Sequence, residues 1–163
     1  MQGKIKFALA AALLAIFVAA FAGEALAKPD WLSVKIKTWS IERGNSGPVL
    51  NVSITHANNS KNREVTQISD KSGKFTLTKN HVYRGKTYTA TCVVPLSSDK
   101  VNKVELSPGE STSLSYSLPI KSVENGINGY SWSSSEATQF VLSGGWKISS
   151  WNYDCSVKSQ KEY

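Results

Sequence analysis

The stretch KTYTATCVV, residues 86–94, sets Tyr88, Ala90, Cys92 and Val94 against Thr87, Thr89 and Thr91. A period of two places one set on each face of an extended chain, and threonines and aromatics suit a pleated, half-buried surface. The segment predicts a β-strand. Working outward, the same signature recurs. WLSVKIKTWSI (31–41) alternates Leu32, Val34 and Ile36 with Ser33, Lys35 and Lys37, and VLNVSITH (49–56) alternates Leu50, Val52, Ile54 and His56 with Asn51, Ser53 and Thr55. GNSGP (44–48) supplies the turn between them. After the polar turn ANNSKN (57–62), REVTQIS (63–69) and KFTLT (74–78) read as short strands divided by a turn at DKSG, residues 70–73. KVELSPGESTSLSYSLPI (103–120) gives a short strand, a Pro-Gly turn, and Leu114, Tyr116 and Leu118 alternating with Ser113, Ser115 and Ser117. NGINGYSWSSSEA (125–137) has the composition of a loop, and TQFVLSG (138–144) and WKISSWNYDCSVK (146–158) read as two closing strands. No segment of 11 or more residues after the N-terminus keeps a helical period, and no repeat is visible. Eight or nine short strands with frequent turn signals predict an all-β chain folded as a single antiparallel β-sandwich.

The N-terminus has a different character. Lys4 and Lys6 precede the apolar run FALAAALLAIFVAAF (7–21), and AGEALA ends in the small residues Ala25 and Ala27. That is the pattern of a secretory signal, helical through its apolar run and cut after Ala27. Its uncharged stretch, Phe7 to Gly23, is 17 residues, short of the ~20 that span a bilayer. No transmembrane anchor is therefore expected in the mature chain. No cysteine lies near the cut, which excludes a lipid anchor there. The division is thus a signal peptide, 1–27, and one β-sandwich domain, 28–163, enough chain for a real core.

The full chain has 163 residues and a formal net charge of +7; loss of Lys4, Lys6 and Glu24 with the signal leaves 17 basic and 11 acidic residues, or +6. The basic residues are dispersed in ones and twos. Such spacing marks solvated strand faces rather than a nucleic-acid footprint, so no nucleic acid is expected as a partner.

VLNVSITHANNS (49–60), followed later by VELSPGESTSLSYSL (104–118), resembles the strand, turn and strand wording of immunoglobulin-like domains in exported bacterial proteins. The resemblance implies a fold class and an extracytoplasmic setting, periplasmic or secreted. It brings no catalytic or binding residues with it.

Cys92 and Cys155, the only cysteines, each fall on the apolar side of a strand. In an exported chain two cysteines are more often paired than free, so a buried Cys92–Cys155 disulfide is expected. Neither has a histidine close in sequence, and there is no Cys-x-x-Cys to suggest redox work. The two histidines, His56 and His81, and the scattered Asp70, Asp99 and Asp154 show no metal-ligand spacing. No GxSxG elbow or comparable catalytic context occurs. The expectation is a protein without enzymatic activity, metal or cofactor. Some of the aromatics must be core, and Trp151 and Tyr153 fall on the Cys155 face. Tyr130 and Trp132 sit instead in the 125–137 loop, where rings flanked by serine and asparagine suit stacking on a sugar, insertion at a membrane interface or docking on a protein. They are the candidate ligand-binding residues, and the partner is an unknown protein, a glycan or a membrane surface.

The leading reading is an exported, non-enzymatic binding module of the bacterial envelope or the medium. A fimbrial-type subunit or adhesin shares a signal, this size and Tyr163 near the end, yet its alternating apolar C-terminal strand has no counterpart in the polar SVKSQKEY (156–163). A membrane-active secreted toxin fits the basic charge and the aromatic loop. An inhibitor of a lysozyme-like enzyme is disfavoured, because both partners would be basic.

Overall fold

The computed structural model describes residues 26–97 and 100–163. The expected signal helix lies outside the described residues, except for Leu26–Ala27, which form the short strand β1. The strands that follow are β2 (Leu32–Gly44), β3 (Gly47–Asn58), β4 (Arg63–Tyr83), β5 (Lys86–Ser97), β6 (Val101–Leu106) and β7 (Ser111–Pro119). Then come β8 (Ser122–Val123), a 3₁₀ turn (Ile127–Gly129), β9 (Trp132–Ser133), helix α1 (Ser134–Leu142) and the long β10 (Lys147–Glu162).

All pairings are antiparallel. The larger sheet runs β1-β10-β4-β5, with β6 on the first part of the β4 edge whose later part pairs with β5. The smaller sheet is the meander β2-β3-β7, and β8-β9 is a minor hairpin. The alternation read from the sequence explains how the two sheets share one core. Leu50, Val52 and Ile54 of β3, Ala90, Cys92, Val94 and Leu96 of β5, and Phe75 and Leu77 of β4 are all buried in a single cluster. Burying a large aliphatic or aromatic side chain of this kind contributes about 1.5–3 kcal/mol, so Ile54→Ala, which also leaves a cavity, should cost about 2–5 kcal/mol.

The β4–β5 hairpin turns on residues suited to it. Arg84 (φ 48°) and Gly85 (φ 72°) both take positive φ, as a two-residue loop matching the twist of its flanking strands requires.

Two expectations are corrected. DKSG is not a turn: β4 runs unbroken through it for 21 residues. Asp154 pairs with Ser72 and Cys155 with Asp70, so Lys71 is bulged out and the ladder continues. The turn-forming residues serve other ends here. Asp70 turns into the core, and Gly73 lies so close to Leu96 and the Asn152 carbonyl that an added Cβ would sit 3.3 and 3.2 Å from them. TQFVLSG, in turn, is mostly helix. Ser133 occupies the N-cap, and the Glu136 carboxylate accepts from its backbone N–H (3.0 Å) and its hydroxyl (2.7 Å). Ala137 and Val141 bury one face while Phe140 packs against the core from the same side. At nine residues the helix is shorter than the window that an unaided period search demands.

Candidate functional site

The strand register keeps the cysteines apart. Cys92 sits opposite Leu77 on one edge of β4 and Cys155 opposite Asp70 on the other. Seven residues of strand and two strand spacings put them on the order of 20 Å apart, whereas a disulfide needs Cα atoms about 4.4–6.8 Å apart. Both are free and buried, so the expected disulfide is absent. Burial, with Glu124 adding to it, pushes the Cys92 thiol up to about 12. Burial likewise raises Cys155 to about 11 against the pull of Lys28. At neutral pH both are protonated core thiols and poor nucleophiles.

The two loop aromatics part company. Tyr130 is 67 % exposed, whereas Trp132 is half-buried, with its ring over the Gly126 backbone so closely that a Cβ there would come within 2.9 Å. Trp132 also meets Phe140 edge-on, at 5.7 Å and 88°. It belongs to a cap that closes one end of the core. Phe140 meets Trp146 (5.8 Å, 82°) and His81 (5.1 Å, 76°), and His81 stacks on Tyr88 at 5.5 Å. Lys79 threads this cap. Its ammonium lies 4.5 Å from the Phe140 ring centre and donates to the Phe140 carbonyl (3.3 Å) and the Ser143 hydroxyl (2.6 Å). Trp146 Nε1 donates to the Val141 carbonyl at 2.9 Å. The open carbonyls at the end of α1 are thus met by side chains, and burial lowers the Lys79 pKa. Sequence reading missed this cap because its members are spread from residue 79 to 146 and only pairing brings them together.

A second group lies between the sheets. The fully buried Asp70 accepts from Tyr153 (2.6 Å), Tyr116 (2.8 Å) and Asn102 (3.0 Å). The Tyr153 hydroxyl spends its proton on Asp70, so its contact with His56 Nε2 at 3.1 Å must be donated by the imidazole, which fixes the Nε2–H tautomer. Burial lowers the His56 pKa, with the Asp70 carboxylate opposing, and burial drives both tyrosine hydroxyls well above their ordinary range. Neutral tyrosines beside a buried carboxylate make a network that ties the two sheets together, since Asp70 and Tyr153 come from one sheet and His56 and Tyr116 from the other. With both tyrosine hydroxyls kept protonated and burial favouring the neutral His56 imidazole, the network suits structure better than proton transfer.

The third feature is the outer face of β2-β3-β7. Across the register, Ser40, Asn51 and Ser117 form one row, Thr38, Ser53 and Ser115 the next, and Lys35, Thr55 and Ser113 the third. Neighbours within a row are about 4.8 Å apart and alternate residues along a strand about 6.8 Å. A shallow depression of about 420 Å³ lies over the first two rows, and another of about 540 Å³ is lined by Lys35, Lys37, Thr55 and Ser111–Ser113. The Thr55 and Ser113 hydroxyls touch at 3.1 Å. Lys35 and Lys37 are exposed, and among the described residues neither forms an ion pair.

Among the described residues no group of three or more His, Cys, Asp or Glu side chains is placed to hold a metal ion, and no helix is long and apolar enough to cross a membrane. No family model, no curated protein and no solved structure matches the chain.

Proposed function

We propose that this chain is an exported, non-enzymatic binding module with an immunoglobulin-like β-sandwich fold, and that its contact face for an anionic glycan is the outer side of β2-β3-β7. One observation carries the reading: rows of hydroxyl and amide side chains, ending past a register shift in β2 at Lys35 and Lys37, which form no ion pair among the described residues, run beneath two shallow depressions. An extended polymer of sugar hydroxyls and negative groups complements such a strip, whereas a small substrate needing enclosure does not. The protonated thiols and the sealed Asp70 network support a role without covalent or acid–base chemistry. The signal-like segment 1–27 supports export. Insertion into membranes through the 125–137 loop has weaker footing, because Trp132 packs into the cap and Tyr130 alone is left open.

The test is retention on immobilised anionic and neutral polysaccharides across a salt gradient. Retention on the anionic matrix that falls with salt, and falls again in Lys35→Gln/Lys37→Gln, supports the reading. Equal behaviour of wild type and double variant contradicts it.

A further inference from the structure

Leu26 pairs with Val157 and Ala27 with Ser156 on the outer edge of β10. The opposite edge of β10 is paired with β4 from Lys147 to Glu162. A sixteen-residue strand therefore ends the larger sheet, and among the described residues its outer edge is covered at two positions only. A cut after Ala27 would take that cover away and leave backbone N–H and C=O groups open on both sides of Ser156.

We propose that the processed protein fills this edge with the β10 of a second copy, antiparallel and centred on Ser156, joining two sheets into one. The inference rests on the export reading above. A two-fold pairing is self-complementary, so residues equidistant from its centre face each other. With Ser156 at the centre, Cys155 faces the partner's Val157 and Asp154 faces the partner's Lys158. Asp154 and Lys158 are both exposed, carry opposite charges, and make no ion pair among the described residues. This register thus gives two symmetric ion pairs flanking the position that Ala27 now occupies. Centres at residue 154 or 158 would set like charges directly opposite, and centres at 155 or 157 would leave both charges facing neutral residues. Lys158 is the extra residue between the Val157–Ile68 and Ser159–Gln67 pairs, so the ion pairs sit at a bulge that ends the regular ladder on each side, which keeps the contact short and the association concentration-dependent.

Sedimentation equilibrium on the protein exported and purified from a secreting host, with its N-terminus determined, tests the inference. A processed chain should dimerise as its concentration rises. Asp154→Lys alone and Lys158→Asp alone should each weaken the dimer at least about tenfold, and the double reversal Asp154→Lys/Lys158→Asp should restore it, with melting temperatures unchanged at concentrations where every variant is monomeric. A processed chain that stays monomeric, or a dimer indifferent to the reversals, overturns the inference and leaves the export reading standing. A recovered chain that retains residues before Lys28 contradicts the cut itself; since Leu26–Ala27 then cover the edge, a dimer in that form would overturn the inference separately.

Discussion

The Tyr153 hydroxyl donates to Oδ1 of Asp70 at 2.6 Å, in a site where Asp70 has no exposed surface. This bond joins neighbouring strands of the larger sheet, and the same hydroxyl reaches His56 across the core. Tyr153→Phe removes a donor from a buried carboxylate and an acceptor from the His56 N–H together. It should cost about 1–3 kcal/mol in urea unfolding, the penalty for unpaired buried polar groups. Tyr116→Phe, which leaves Tyr153 and Asn102 on Asp70, should cost less.

His56 makes the fold acid-sensitive. Its pKa is lowered in the folded state from an ordinary 6.5, so the unfolded chain binds its proton first as pH falls. The stability it contributes is fully present above about pH 6.5 and is lost as pH drops toward and through the folded value. The melting temperature should decline between pH 7 and pH 5, and His56→Gln should flatten that decline. An equal slope in both proteins would exclude His56 as its source.

The thiols should be silent until the fold opens. An aromatic disulfide reagent should find neither Cys92 nor Cys155 in the native protein over minutes and both in denaturant, because each is fully buried and raised by burial. A reducing agent should leave the melting temperature unchanged.

The cap should separate the two loop aromatics. Trp132→Ala should destabilise by about 2–3 kcal/mol, below the ~3–5 kcal/mol of a fully enclosed ring, while Tyr130→Ala should stay within about 0.5 kcal/mol of wild type. Lys79→Ala removes both the helix-end contacts and the ring contact, and about 1–2 kcal/mol should go with them.

Much of the fold was legible because burial on one face imposes a period of two. Tyr88 to Val94, Leu50 to His56 and Leu114 to Leu118 each form the strand their alternation announces. The reading failed where tertiary contacts overrode local preference. Asp70 and Gly73 look like a turn until Tyr116 and Tyr153 occupy the carboxylate and Leu96 crowds the glycine. Ser133 and Glu136 bear the spacing of a capping box, and that signal could have revealed α1. The cysteines shared the right kind of face but not the same region of the sheet, and register along β4 cannot be read from alternation alone. The proposed contact face was visible only as serines and lysines on the wet sides of separate strands; their alignment into rows depends on the β2–β3 and β3–β7 registers.

The proposed glycan contact on β2-β3-β7 is tested most directly by backbone amide chemical shifts recorded while an anionic oligosaccharide is titrated into the labelled protein. Shifts concentrated at Lys35, Lys37, Thr55 and Ser111 to Ser117, weakened by Lys35→Gln/Lys37→Gln, are the predicted result. Shifts gathered at Tyr130 and the cap, or none at saturating ligand, would contradict the account.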